Sequence, residues 1–161
     1  MPALNPCAWA PFFIDSVRIL GKISVMSKKI FFSDMDGTLL TRDKKISEKT
    51  KKALDEFAAA GNHFAICTGR GLDNVIPVSK ELGLNYKGMY FICYNGAEIY
   101  DVDAGKDIFR IGVPLKLIPG IFETAAEYGI HVHTYTSDSL VSPENGEEMQ
   151  YYNRVIKRPV V

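Results

Sequence analysis

An apolar run that ends in two closely spaced carboxylates constrains the fold of this chain more than any other feature. Residues 30–32 (IFF) lead directly into residues 33–40 (SDMDGTLL), which contain Asp34, Asp36 and Gly37. A short apolar run bounded by turn residues is typical of a buried strand. Because open α/β sheets bind ligands beyond the carboxyl ends of their strands, we expect both acids at the mouth of a ligand site.

The spacing of Asp34 and Asp36 has two interpretations. In the first, the acids form a turn or cap a helix, since Asp-Gly is common in turns. In the second, they hold a divalent cation that relieves their mutual repulsion, while one attacks a substrate and the other handles a proton. Their position directly after a buried strand favours the second interpretation, which suits phosphoryl transfer through an aspartyl-phosphate. Gly37 allows a sharp turn there, and Thr38 can anchor it.

Strand and helix patterns alternate along the first part of the chain. The predicted elements are strands at 30–33, 63–67 and 90–93, and helices at 47–60 and 73–82. Ser47 is a suitable N-cap, and Pro77 is tolerable in the second helix if it lies in the first turn. This order requires two right-handed crossovers, so we expect an α/β fold with a Rossmann-like parallel sheet.

The pattern changes after residue 97. The expected elements are a hairpin of 97–100 with 108–111, a helix at 114–128, strands at 130–135 and 139–142, and a helix at 147–156. A hairpin module after three α/β strands predicts a smaller α+β unit that caps the sheet. We therefore expect a core at 26–101 and a partial cap at 102–161. Pro2, Pro6 and Pro11 interrupt any helix before the core, and Met26 leads directly into the first strand, so we also expect an N-terminal extension at 1–25 with Met26 as the natural start.

Polar residues also follow the second and third predicted strands. Thr68, Gly69 and Arg70 come after the second strand, where a hydroxyl and an N–H group beside a glycine can cradle a phosphate. Arg70 could instead pair with an acid. Asn95, which precedes a glycine, either belongs to a hairpin turn or lies at the mouth of the site. Since parallel strands end at one edge of a sheet, we expect these residues near Asp34.

Composition excludes several classes of function. The 161 residues carry a formal net charge of 0, which argues against partners such as nucleic acid or an anionic membrane surface. Hydrophobic residues make up 47% of the chain, which is enough for a core. No apolar stretch approaches the ~20 residues of a membrane helix. The three cysteines, at 7, 67 and 93, predict buried thiols in a reducing, cytoplasmic setting. His131 and His133 share a strand face, but no third metal ligand is spaced to help them.

Taken together, these motifs resemble those of the haloacid dehalogenase (HAD) superfamily, most of all the Cof-type phosphatases with a C2B cap. The resemblance covers about residues 28–161 and depends on residues 34–40 (DMDGTLL), 66–70 (ICTGR) and 94–100 (YNGAEIY). It implies the N-terminal half of an HAD core with part of an inserted α+β cap, and Mg²⁺-dependent hydrolysis of small phosphorylated substrates.

The same resemblance implies roles for individual residues. Asp34 would be the nucleophile and a metal ligand. Asp36 would be the general acid and base and would give its backbone carbonyl to the metal. Thr68 and Gly69 would bind the transferring phosphoryl group, and Asn95 would border the substrate pocket. The cap would select the substrate.

The chain departs from the family pattern in one respect. HAD phosphatases carry a later lysine that stabilises the phosphoryl charge and a later Gly-Asp-x-x-x-Asp run that completes the metal site, whereas Lys157 is followed only by residues 158–161 (RPVV). We therefore expect a fragment truncated within the cap that binds Mg²⁺ weakly and is nearly inactive. The alternatives are a catalytically impaired phosphate-binding or regulatory module and a phosphomutase of the same superfamily.

This departure has a consequence for the first strand. In a complete fold the first strand would lie in the middle of the sheet, but here we expect it at an edge, with Ile30, Phe31 and Phe32 exposed. An apolar open edge predicts poor solubility and self-association through that edge.

Overall fold

The structure is a computed structural model that describes residues 27–136, 139–156 and 158–161. The expected extension at 1–25 and the start at Met26 lie outside the described residues. The strands are β1 (Ile30–Asp34), β2 (His63–Cys67), β3 (Met89–Cys93), β4 (Glu98–Asp101), β5 (Lys106–Arg110), β6 (Thr134–Tyr135) and β7 (Leu140–Val141). The helices are α1 (Glu48–Ala59), α2 (Leu72–Glu81), α3 (Ile118–Glu127) and α4 (Glu147–Ile156).

The first five strands form one sheet in chain order. The strands β1, β2 and β3 are parallel, and β4 and β5 extend the sheet in antiparallel fashion. Asp34 is in register with Cys67, and Cys67 with Ile92, so the parallel strands end at nearly the same level. This arrangement confirms the predicted α/β class with a Rossmann-like parallel sheet. It also brings the residues after β1 and β2 to a common edge.

The helices α1 and α2 cover one face of the sheet. Ser47 caps α1, because its side chain accepts a hydrogen bond of 3.1 Å from the backbone N–H of Thr50. Leu54 of α1 and Val75 of α2 pack into one buried cluster with sheet residues such as Phe64. The prediction of two amphipathic helices between the parallel strands is confirmed, and their apolar stripes supply the core.

The opposite face of the sheet and the β1 edge are open. Ile30, Phe31 and Phe32 are 45%, 48% and 53% exposed, which confirms the prediction for the first strand. A shallow apolar depression runs across this face and is lined by alternate strand residues that include Ile30, Phe32, Tyr90 and Ile92. Among the described residues, part of this face is therefore left exposed to solvent.

Three sequence-based expectations differ in detail from the structure. Pro77 is the sixth residue of α2, not part of its first turn, so the Asp73 carbonyl receives no helical N–H bond from it. The strand expected at 130–135 is reduced to Thr134–Tyr135. The helix expected at 114–128 begins as a 3₁₀ turn at Leu115–Leu117 and becomes α-helical only from Ile118.

The residues beyond β5 form a smaller unit beside the sheet. The strands β6 and β7 pair in antiparallel fashion, and the last residues join them, since Leu140 donates to the Pro159 carbonyl at 2.8 Å. Leu140 and Met149 of α4 are fully buried and form its core. β5, which lies beyond the expected boundary at residue 102, continues the main sheet. Within the described ranges, no helix is long and apolar enough to cross a membrane.

Candidate active site

A cleft of about 250 Å³ lies at the carboxyl ends of β1 and β2, between the sheet and the small unit. The lining residues that were predicted from the sequence are Asp34, Asp36, Thr68, Gly69 and Arg70. The remaining lining residues are Gly71, Asp73, Asn74, Tyr94, Tyr135, Tyr152 and Arg158. Of the five residues with predicted site roles, the cleft thus contains all but Asn95, and it also contains Arg70, whose role the sequence left open.

Asp34 is the last residue of β1 and its side chain lines the cleft. The loop after it is fixed at both ends: Leu40 donates a backbone hydrogen bond of 2.9 Å to Met35, and both of these side chains are buried. Gly37 adopts a φ of 77°, which favours glycine and permits the tight turn. Anchoring by Met35 and Leu40 leaves Asp34 and Asp36 pointing outward, where the Thr38 hydroxyl reaches Asp34 at 3.4 Å.

Asp36 is held by two cations. Arg70 donates to both of its carboxylate oxygens, from Nε at 2.7 Å and from Nη2 at 2.6 Å. Lys44 donates to Oδ1 at 2.8 Å. The hydrogen bonds from Arg70 hold the pKa of the Asp36 carboxyl below its ordinary value; partial burial opposes that shift and Lys44 adds to it. In this arrangement Asp36 is a carboxylate, the form that accepts a proton but cannot donate one.

Thr68 and Gly69 form the wall beside Asp34. Thr68 is 6% exposed, and its hydroxyl accepts the backbone N–H of Arg70 at 3.1 Å, which fixes the direction of the side chain. A Cβ at Gly69 would lie 3.2 Å from the Asn95 amide oxygen, so this position favours glycine. Because glycine has no side chain, it leaves bare backbone next to the carboxylates, where a phosphate could approach N–H groups closely.

Asn95 is adjacent to this wall but is not among the lining residues. Its backbone N–H donates to the Thr68 carbonyl at 3.1 Å. Tyr94 and Asn95 both have positive φ, 49° and 55°, in the turn that joins β3 to β4. The turn interpretation of this motif is thus observed, and it puts Asn95 behind Gly69.

Sequence reasoning missed the far wall of the cleft. Arg158 is 8% exposed, and its Nε donates to Asp73 at 2.6 Å across 85 positions of sequence. Tyr135 and Tyr152 come from β6 and α4 of the small unit. No local pattern links these residues. Tyr94, which also lines the cleft, is the exception, because it directly precedes the predicted Asn95 and that proximity was a usable signal.

The residues present offer a partial site for a divalent cation. Asp34 contributes a carboxylate that forms no salt bridge with any described residue, and hard oxygen ligands of this kind suit Mg²⁺. The Asp36 carboxylate is occupied by Arg70 and Lys44, which leaves its backbone carbonyl as the second oxygen. Among the described residues, no group of three or more His, Cys, Asp or Glu side chains could hold a metal. The donor set fits a cation that keeps several of its waters.

Comparisons with known proteins agree with this geometry. The model of the haloacid dehalogenase-like hydrolase family matches residues 31–160. A candidate phosphatase of Streptococcus pyogenes is 31% identical over 140 residues, covering 84% of this chain and 51% of that protein. The HMP-PP phosphatase of Yersinia pestis is 30% identical over 116 residues, covering 72% and 41%. The chain thus spans about half the length of the curated relatives it matches.

Solved structures show the same fold. A crystal structure of a haloacid dehalogenase-like hydrolase from Bacteroides thetaiotaomicron superposes with a TM-score of 0.67 and 24% identity. The superposition covers 83% of this chain and 51% of that one. At this level of identity the likeness concerns the fold.

Proposed function

This chain belongs to the haloacid dehalogenase-like hydrolase family, and we propose that it carries the nucleophile half of a Mg²⁺-dependent phosphatase for small phosphorylated metabolites. The observation that supports the proposal most is the common cleft of Asp34 and Thr68. Both residues lie at the ends of adjacent parallel strands, and the Asp34 carboxylate is free of any described cation. A carboxylate without a cationic partner among the described residues, beside a hydroxyl and a glycine backbone, suits attack on a phosphate ester.

The proposed chemistry has two steps, each balanced at the same two acids. An Asp34 oxygen attacks phosphorus, the ester P–O bond breaks, and the leaving oxygen takes a proton from Asp36. A water molecule then attacks the phosphorus of the aspartyl-phosphate and gives its proton to Asp36, the bond to Asp34 breaks, and phosphate departs. Thr68 and the backbone at Gly69 would hold the phosphoryl oxygens during both steps.

The contact between Asp36 and Arg70 bears on the first step. A carboxyl group whose pKa is lowered carries no proton at neutral pH, so Asp36 must lose part of this contact before it can hold the proton that a leaving group takes. Arg70 itself lines the cleft. Phosphoryl oxygens that enter beside Thr68 would compete with Asp36 for the guanidinium, because both are anionic and accept bidentate hydrogen bonds.

A bound Mg²⁺ would neutralise phosphoryl charge and polarise the bond to the leaving group. We propose that Asp34 and the Asp36 carbonyl hold it, with water in the other positions. The Thr38 hydroxyl would help to orient this ligand, because it donates a hydrogen bond to one oxygen of the Asp34 carboxylate.

A second candidate function is a phosphate-binding or regulatory module without turnover. The observation that favours it is the engagement of Asp36 with Arg70 and Lys44, together with the small number of acids in the described cleft. In this role Thr68 and Gly69 would still bind phosphate, but Asp36 would act as a fixed structural anion.

We also propose that copies of the chain associate through the open β1 edge, which the exposure of Phe32 supports. A reducing, cytoplasmic setting is our proposal for the location, and the free thiols of Cys67 and Cys93 are consistent with it.

Hydrolysis of p-nitrophenyl phosphate by the purified 161-residue chain tests the proposed function. We expect slow release of p-nitrophenol that requires Mg²⁺, is lost in Asp34→Asn and is retained in Asp43→Asn, an exposed acid outside the cleft. Turnover that survives Asp34→Asn would overturn the assignment of the nucleophile. Mg²⁺-dependent phosphate binding without any turnover would favour the binding module.

A further inference from the structure

We propose that the leaving group accepted by this cleft is a flat aromatic ring, and that Tyr135 and Tyr152 form the wall on which it packs. The inference depends on the proposed function, because it concerns the non-phosphate half of the same site. It assigns a substrate class, aromatic or heteroaromatic phosphate esters, and names the two residues that select it.

The first support is the position of three half-buried tyrosines. Tyr94, Tyr135 and Tyr152 all line the cleft that contains Asp34 and Thr68. The rings of Tyr94 and Tyr135 lie 5.3 Å apart between centroids, tilted by 58°. Those of Tyr135 and Tyr152 lie 6.5 Å apart in an edge-to-face arrangement. These spacings are the ones at which aromatic rings attract each other, so a further ring can extend the cluster.

The second support is the rigidity of the wall. The guanidinium carbon of Arg158 lies 5.7 Å from the centroid of the Tyr135 ring, and Asp73 fixes that guanidinium through its Nε. The hydroxyls of Tyr135 and Tyr152 are hydrogen-bonded to each other. His133 packs against Tyr152 with ring centroids 4.4 Å apart. A preorganised wall loses little conformational entropy when a ligand binds to it.

The third support is that the polar groups around this wall already bond to one another. The Tyr135 and Tyr152 hydroxyls form one pair, Asp73 accepts from Arg158, and the Asn74 side-chain oxygen accepts from Arg70 at 2.7 Å. A polyol such as a sugar needs donors and acceptors for each hydroxyl that it buries, and breaking these bonds to supply them costs free energy. A flat ring needs only contact with the parts of the tyrosine rings that line the cleft.

The size of the cleft also limits the substrate. Its volume of about 250 Å³ falls below the roughly 300–1,000 Å³ of pockets for drug-sized ligands. Phosphate beside Thr68 and a single ring against Tyr135 would therefore fill the space, which favours one-ring esters over large nucleotides.

Calorimetric titration of the 161-residue chain with Mg²⁺ and three probes tests this inference: inorganic phosphate, phenyl phosphate and glucose 6-phosphate. We expect phenyl phosphate to bind about three- to ten-fold more tightly than inorganic phosphate, the gain typical of one aromatic contact. Glucose 6-phosphate should show no such gain. Binding is the readout, so the result does not depend on turnover.

Three variants locate the effect. Tyr152→Leu should reduce the preference for phenyl phosphate to about one-fold, whereas Tyr151→Leu, at the preceding residue of the same helix, which is 67% exposed, should leave it unchanged. Tyr135→Phe keeps the ring and should keep most of the preference. Circular dichroism of each variant verifies that it is folded.

The outcomes separate this inference from the proposed function. Equal affinities for phenyl phosphate and inorganic phosphate, or a preference that survives Tyr152→Leu, would overturn the aromatic wall and leave the phosphatase proposal standing. Tighter binding of glucose 6-phosphate would replace it with a polyol site. Failure of all three probes to bind in the presence of Mg²⁺ would remove the phosphate site itself, and the inference with it.

Discussion

Breaking the ion pair between Arg158 and Asp73 should separate the small unit from the sheet and widen the cleft. Arg158 is only 8% exposed, so Asp73→Asn leaves a guanidinium out of water without its counter-ion. Asp73 has a side chain that is 43% exposed, so Arg158→Gln leaves a carboxylate that water can still solvate. As far as the charges are concerned, Asp73→Asn should therefore destabilise the fold more than Arg158→Gln does. Arg158→Gln additionally loses the packing of the arginine on Tyr135.

The size of the coupling follows from the burial of the two partners. Exposed ion pairs contribute about 0–1 kcal/mol, and hydrogen bonds to charged groups contribute about 1.5–3 kcal/mol. This pair has one buried and one half-exposed member at 2.6 Å, so we expect a coupling of about 1–2 kcal/mol. At roughly 2–4 °C per kcal/mol for a chain of this size, each single variant should melt a few degrees lower.

A double-mutant cycle measures this coupling. Wild type, Asp73→Asn, Arg158→Gln and the double variant are unfolded in urea and followed by circular dichroism. The pair Lys52 and Glu56, 4.0 Å apart and exposed on α1, serves as the control and should couple by less than about 0.5 kcal/mol. Coupling between Arg158 and Asp73 that is no larger than in the control would show that this contact does not hold the small unit against the sheet.

Three further predictions concern the open face, the small unit and the thiols. Phe32→Lys should reduce self-association measured by sedimentation, whereas Leu115→Lys, an 86% exposed residue outside the edge, should not; equal effects would argue against association through β1. Burial and the nearby His131 lower the pKa of His133, so the stability that its neutral form contributes is complete above about pH 6.5 and is lost as the pH falls further. His133→Gln should make the urea midpoint less dependent on pH in this range, and an unchanged pH dependence would contradict the prediction. Burial raises the pKa of the Cys93 thiol to about 12, so iodoacetamide at neutral pH should label the half-buried Cys67 before Cys93, and faster labelling of Cys93 in peptide mass spectra would contradict its position in the core.

Elements with strong local signals could be predicted from the sequence. The strand at 63–67 and the helix at 147–156 have the bounds that were predicted, because apolar runs, turn residues and amphipathic spacing mark their ends. Asp34 and Thr68 could be placed in one site because parallel strands end at one edge of the sheet. The position of Pro77 within α2 could not be predicted from the preference of proline for the first turn of a helix. Packing of α2 against the sheet outweighs the one hydrogen bond that this proline cannot donate.

Contacts between distant parts of the chain could not be predicted. Nothing in the sequence indicates that Arg158 meets Asp73, or that Tyr135 and Tyr152 face Asp34, because these contacts depend on how the small unit packs against the sheet. The pairing of Arg70 with an acid was an open alternative, and only the structure identifies Asp36 as its partner. Residue types are readable from a motif, whereas the charge state of a carboxyl group depends on its neighbours in space.

The central claim is that Asp34 accepts a phosphoryl group in the cleft. Incubation of the chain with Mg²⁺ and acetyl phosphate, followed by acid quenching and peptide mass spectrometry, tests it most directly. We expect a gain of one phosphoryl group on the peptide that contains Asp34, which disappears in Asp34→Asn and persists in Asp43→Asn. A phosphoryl group found on another residue, or one that remains in Asp34→Asn, would contradict it.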